Sequence, residues 1–224
     1  MNTKALVAEF VSTFALTFVG IGAIAADAMT GGGVGVVGIA LAHGLTLCVF
    51  ITATAAISGG HVNPAVSFGA WITGKLNTAN ALGYMVAQCA GALVAAGLIR
   101  LALPAAALAE VQMGTPAVNT AAGVTVGMAL FMEVVLTFFL MFAVCGTAMD
   151  GRAPKLGGLL IGLTVTLDIL VGGPVSGAAM NPARHLGPAL LGGGTQNLWL
   201  YWVGPLLGAS CAALLYHHLL EKPS

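Results

Sequence analysis

The chain has 224 residues, of which 58% are hydrophobic and only 6% charged, and its formal net charge is zero. A soluble domain carries about a quarter charged residues, so the composition excludes a water-soluble globule, and the charge balance argues against nucleic acid as a partner. The 32 glycines keep no three-residue period, which excludes a collagen-like fibre, and the apolar stretches far exceed the ~10 residues of a barrel strand.

A helical bundle in a lipid bilayer remains, an all-α membrane protein. In chain order, six spanning helices are expected at residues 4–26, 35–57, 79–101, 122–148, 156–171 and 197–220, most of them near the roughly 20 apolar residues that cross a bilayer. The first run, 5–26 after Lys4, imitates a cleavable signal peptide. It is read as a span because it is long and carries a motif that recurs later. Glycine-rich or polar breaks fall at 27–33, 101–121 (with Pro104 and Pro116), 149–155 and 192–197. Two apolar pieces, 64–73 and 182–191, are too short to cross. Cys48, Cys89, Cys145 and Cys211 lie inside apolar runs without a CxxC pair, which suits packing better than metal or disulfide. No metal and no cofactor is expected.

Basic residues set the orientation. With a cytoplasmic N-terminus, Lys4, Lys75, Arg152, Lys155 and Lys222 fall inside and Arg100 alone outside. Both termini are therefore expected in the cytoplasm, with His217, His218, Glu221, Lys222 and Pro223 in a short tail. The short tails suggest a cell membrane.

The chain also repeats itself. Ala8-Glu9-Phe10 with Thr13 and Phe14 recurs as Met132-Glu133-Val134 with Thr137 and Phe138. Asn63-Pro64-Ala65 recurs as Asn181-Pro182-Ala183, and Tyr84, Gln88 and Gly91 are echoed by Tyr201, Pro205 and Gly208. One channel domain is thus expected in two repeats, 1–103 and 120–224, joined by a loop at 104–119. Each holds three spans and one short piece, so the second must run inverted, which places a working site near the midplane.

Each short piece opens with Asn-Pro, a good N-cap followed by the residue favoured at the first helical position. Gly59-Gly60 precedes one, and Gly172-Gly173 with Gly177 precedes the other. At ~1.5 Å per residue each re-entrant half-helix covers about 15 Å. Two meeting end to end would span the ~30 Å core. Their partly positive N-termini would face one point and oppose cations. The amides of Asn63 and Asn181 would donate to a passing oxygen, while the non-helical segments 58–62 and 176–180 would offer carbonyls.

Ser58-Gly59-Gly60-His61-Val62-Asn63-Pro64-Ala65-Val66 and Ser176-Gly177-Ala178-Ala179-Met180-Asn181-Pro182-Ala183-Arg184 resemble the paired motifs of the aquaporin (major intrinsic protein) family, over about residues 5–218. The resemblance implies a right-handed bundle, a homotetramer with one pore per subunit, and passage of water. It places a selectivity filter at His43, Ile169, Ala178 and Arg184. This set is similar to that of plant tonoplast intrinsic proteins, several of which pass ammonia, and this resemblance points to a vacuole where the short tails favour the cell membrane; hydrogen peroxide and urea are further candidates. The family also implies that Glu9 and Glu133 hold the re-entrant loops, and His61 is read as bracing its loop. Arg184 lies three residues after Asn181, on the same face of its half-helix, where the first repeat has Val66.

Glycerol channels of the family resemble Asn-Pro-Ala-Arg-Asp. Here His185 stands at that aspartate, where the water branch commonly has serine. A glycerol or polyol facilitator is the alternative. A secondary transporter, the rival from another class, would need an ion-coupling site beyond one arginine. An intramembrane hydrolase would need a histidine placed as base for Ser58 or Ser176. Asp168, next to Ile169, is expected at the membrane interface, with tuning of the filter as the alternative.

Overall fold

A computed structural model describes residues 2–221; Lys222 and Pro223 of the expected tail lie outside the described residues. The first repeat contains α1 (Thr3–Met29), α2 (Gly35–Ser58), the half-helix α3 (Pro64–Ile72) and α4 (Thr78–Ala102). The connecting loop carries a short helix, α5 (Ala105–Glu110). The second contains α6 (Val126–Val144), α7 (Gly157–Ser176), the half-helix α8 (Pro182–Pro188) and α9 (Leu200–Leu215). One wider turn prolongs α6 to Met149, α8 to Gly193 and α9 to Leu220. With these extensions, α1, α2, α4, α6, α7 and α9 are long and apolar enough to cross a membrane.

The two repeats pack alike. α1 lies along α4 and α2, and α6 lies along α9 and α7 in the same way. Each half-helix crosses to the other repeat, α3 onto α9 and α8 onto α4, while α2 and α7 close the seam between repeats. Close approach explains two of the repeated glycines. A Cβ on Gly91 would strike the Phe10 carbonyl of α1, and one on Gly208 the Val134 carbonyl of α6. Only glycine allows the helices that close, and small residues of this kind drive packing in lipid.

Burial is inverted relative to a soluble protein. Val86, Phe131, Leu167 and Val171 are exposed, whereas Glu9, Glu133 and Arg184 are buried. Lipid-facing apolar side chains around a polar interior are the arrangement a bilayer demands.

Several expected boundaries move. α7 does not stop at residue 171 but continues through Gly172, Gly173 and Pro174 to Ser176. Gly172 is needed for space rather than for a turn: a Cβ there would collide with Leu136 and lie 3.3 Å from Ala178 Cβ. The turn falls at Gly177, φ 80°, matching Gly59, φ 92°, after α2. Ser58 and Ser176 are therefore helical, and the non-helical segments begin one residue later. α6 starts at Val126 rather than 122, because Thr125 caps it by accepting from Met128 N at 3.2 Å. Asp168 is buried among the helices, with one carboxyl oxygen lacking a hydrogen-bond partner.

Candidate functional site

The half-helices begin where their asparagines say they should. Asn63 Oδ1 accepts from Ala65 N at 2.8 Å, and Asn181 Oδ1 accepts from Ala183 N at 3.1 Å and Arg184 N at 3.2 Å. With the oxygen turned back on its own helix, each amide nitrogen points across the junction. Asn63 Nδ2 donates to the Met180 carbonyl at 2.8 Å, and Asn181 Nδ2 donates to the Val62 carbonyl at 2.9 Å. The two tips thus meet and are tied to each other by a reciprocal pair of bonds. Each Nδ2 carries two hydrogens, so one is consumed by this tie and one is left over.

Behind each tip a buried carboxylate holds the loop. Glu9 accepts from Ser58 Oγ (2.6 Å), His61 N (2.9 Å), Val62 N (2.6 Å) and Gln88 Nε2 (2.8 Å). Glu133 accepts from Ser176 Oγ (2.7 Å), Ala179 N (2.9 Å) and Met180 N (2.7 Å). Tyr84 Oη donates to the Ser58 carbonyl, and Tyr201 Oη to the Ser176 carbonyl. This scaffold holds strained backbone, since Val62, Ala178 and Met180 all have positive φ (58°, 45° and 51°). A β-branched residue rarely adopts that conformation, and it persists only where surroundings over-determine it. Among the described residues no donor reaches the carbonyls of Gly60, His61, Ala178 or Ala179, which leaves them for water.

One cavity runs past both tips. Asn63, Asn181, Val62 and Met180 line it, and so do His43, Ile169, Ala178 and Arg184. Leu47, Ile51, Leu140 and Val165 form part of an apolar wall along it. The cavity is narrow, about 30 Å³, against ~10–15 Å³ for one water. A second cavity shares Gly60, His61, Val66, Val144 and Ile161 with it and reaches Lys75. Pro64, Ala65, Pro182 and Ala183 are buried in the first turns of their half-helices.

At the other end Arg184 is buried and, among the described residues, has no carboxylate within ion-pair distance. Its Nη1 donates to the Gly114 carbonyl at 2.9 Å, and its Nη2 lies 3.3 Å from His43 Nε2. A guanidinium only donates, so Nε2 accepts. Nδ1, 2.8 Å from the Ile39 carbonyl, must then carry the proton. That leaves further Arg184 hydrogens for the passage.

Gly114 was not singled out from the sequence. Its contribution is a backbone carbonyl, presented by a tight turn with Met113 and Gly114 at positive φ (57° and 61°); Met-Gly-Thr-Pro was the available signal. Gly20 on α1 makes room for the histidine of the expected filter: a Cβ there would strike His43 Nε2. The His61 side chain does not brace its loop by hydrogen bonding: its backbone N–H does, while Nδ1 is buried without a partner and the ring stands edge-on to Tyr84.

At the opposite end of the bundle Lys75 pairs with Glu221, and Arg152 pairs with Asp150 and donates to the Leu220 carbonyl. Hydrogen bonds from Arg152 hold the Asp150 carboxyl well below the usual carboxylate range, and Lys75, then His217, lowers that of Glu221.

A family model described as "Major intrinsic protein" matches residues 1–216. The chain belongs to the major intrinsic protein family. Among similar major intrinsic proteins, "Probable aquaporin TIP3-2" of Arabidopsis thaliana is 43% identical over 98% of this chain and 84% of its own length. "Aquaporin TIP1-2" of Zea mays is 44% identical over 96% and 85%. The solved "aquaglyceroporin from Plasmodium falciparum" superposes with a TM-score of 0.85 at 24% identity, covering 98% of this chain and 97% of that one; at that identity it shows the shared fold. This major intrinsic protein is an integral multi-pass membrane protein, a passive channel of the aquaporin type rather than an enzyme.

Proposed function

We propose that the passage conducts water in single file, together with ammonia and other small neutral solutes such as hydrogen peroxide or urea, and excludes ions and protons. The observation that carries this reading is the convergence of Asn63, Asn181, His43, Ile169, Ala178 and Arg184 on one narrow cavity. At the junction each asparagine has one N–H left. A water oxygen accepting both has used its two lone pairs and cannot take a hydrogen from the next water, which breaks the proton relay. The apolar wall cannot replace a hydration shell, so ions are refused.

His43, Ile169, Ala178 and Arg184 act as the selectivity filter in this reading. Arg184 supplies a fixed positive charge and His43 orients it. Ile169 offers no hydrogen bond and Ala178 takes little space, so one side of the ring is apolar and roomy enough for ammonia. Glu9 and Glu133 act as loop scaffolds. The test is ammonia flux into proteoliposomes, read with an internal pH dye, beside stopped-flow osmotic shrinkage. The reading expects ammonia flux above that of empty vesicles; equal flux would end the ammonia claim. Replacing His43 by Phe should lower it while water continues to pass.

Two repeats, 1–103 and 120–224 joined by 104–119, make one channel in this account, four chains assemble with one pore each, and both termini face the cytoplasm. The gathering of Lys75, Arg152 and Glu221 at one end, with Arg100 bonded to the Leu191 carbonyl elsewhere, supports that orientation. The cell-membrane placement drawn from short tails gains no support from the TIP-type plant relatives.

A further inference from the structure

His185 is left without a task by this account. It follows Arg184 on α8 and is fully buried. Its ring lies flat on Tyr201, with centroids 3.9 Å apart and planes 14° from parallel. Neither ring nitrogen has a hydrogen-bond partner. A neutral imidazole keeps one donor and one acceptor, and burying both unpaired is costly.

What the ring faces is the outer loop. The Pro116 carbonyl lies within reach of it as a weak backbone acceptor, and in the same loop Thr115 Oγ1 is buried and unpartnered. The same stretch touches one filter residue and the neighbour of another. Gly114 gives its carbonyl to Arg184. Pro116 sits so close to Gly177 that a Cβ there would lie 2.6 Å from Pro116 Cα, one residue before Ala178.

We propose that His185 is a positioning residue for solute selectivity: fixed by its stack on Tyr201 and directed at the Pro116 carbonyl, it holds residues 114–116 against the filter and so keeps Arg184 aimed into the passage. The inference rests on reading Arg184 as a filter residue. The stack on Tyr201 fixes the ring, and Tyr201 is itself tied to the Ser176 carbonyl. A serine at 185 could neither stack on Tyr201 nor present a ring nitrogen to the loop.

The test is the urea-to-water permeability ratio of proteoliposomes carrying the full chain. His185→Phe keeps the stack and volume but removes both nitrogens. It should raise the ratio about fivefold, the equivalent of one lost hydrogen bond. His185→Gln, with a donor and an acceptor, should return the ratio toward wild type. In an Arg184→Val background, which itself raises the ratio, His185→Phe should add nothing. Should the Phe variant not assemble, His185→Leu is read the same way. An unchanged ratio in His185→Phe while Arg184→Val raises it would overturn the positioning role alone. So would an effect that persists in the Arg184→Val background. An unchanged ratio in Arg184→Val would overturn the filter reading and this inference with it.

Discussion

Replacing Glu9 by Leu should be more damaging than any other single change behind the passage. The carboxylate accepts from four buried donors, and leucine accepts from none. A buried donor left unpaired costs about 1–3 kcal/mol, so the variant should lose at least about 4 kcal/mol. The loss falls on a loop that holds Val62 at φ 58°, so relaxation would withdraw the Val62 carbonyl from Asn181 as well. Glu133 accepts from three such donors, which sets a floor of about 3 kcal/mol for Glu133→Leu. Glu9→Gln keeps one acceptor oxygen and should fall between wild type and Glu9→Leu. Thermal unfolding in detergent and osmotic shrinkage of proteoliposomes measure both effects. The expected order of melting temperature is wild type, then Glu133→Leu, then Glu9→Leu, with water permeability falling in parallel. A Glu9→Leu protein with wild-type stability and permeability would refute the scaffold argument.

Gly20→Ala should push its Cβ into His43 Nε2 and so lower water permeability, while Gly22→Ala, whose Cβ would make only ordinary contact with Ile99 at 3.5 Å, should leave it unchanged. None of the cysteines lines the central cavity, so mercurials should not block the wild-type channel from within it, whereas Ala178→Cys should become mercury-sensitive; shrinkage rates with and without the reagent decide. The Asp150–Arg152 pair has a pH signature. The folded carboxyl is held below its unfolded value near ~3.9, so its contribution is present above that value and disappears as pH falls through the folded one. Asp150→Asn should therefore differ from wild type in melting temperature equally at pH 8 and pH 5, and the gap should close only at strongly acid pH.

The half-helices were legible because asparagine and proline act locally: a cap and a first-turn residue need no knowledge of the rest of the chain. Their meeting followed from counting spans, since an odd number per repeat forces inversion. The Glu9 and Glu133 roles required the family resemblance, because a membrane carboxylate alone reads equally well as a proton relay. The end of α7 was misplaced because a glycine pair signals a break only where backbone freedom is the reason for it. Gly172 exists to clear Leu136 and Ala178, a tertiary cause invisible along the chain. The Gly114 carbonyl and the His185 stack escaped for related reasons. One is a backbone group common to every residue, and the other depends on a partner sixteen residues away on a different helix. The burial of Asp168 is likewise a tertiary effect, set by what packs around α7 rather than by its place in the sequence.

The central claim is that two asparagine-tipped helices abut to frame a wet, proton-tight file. Its most direct test is stopped-flow shrinkage of proteoliposomes at several temperatures, with a pH-sensitive dye inside and a proton gradient imposed. The account predicts fast water flow with shallow temperature dependence and proton leakage no greater than that of empty vesicles. Shrinkage at the empty-vesicle rate, or proton leakage rising in step with water flow, would contradict it.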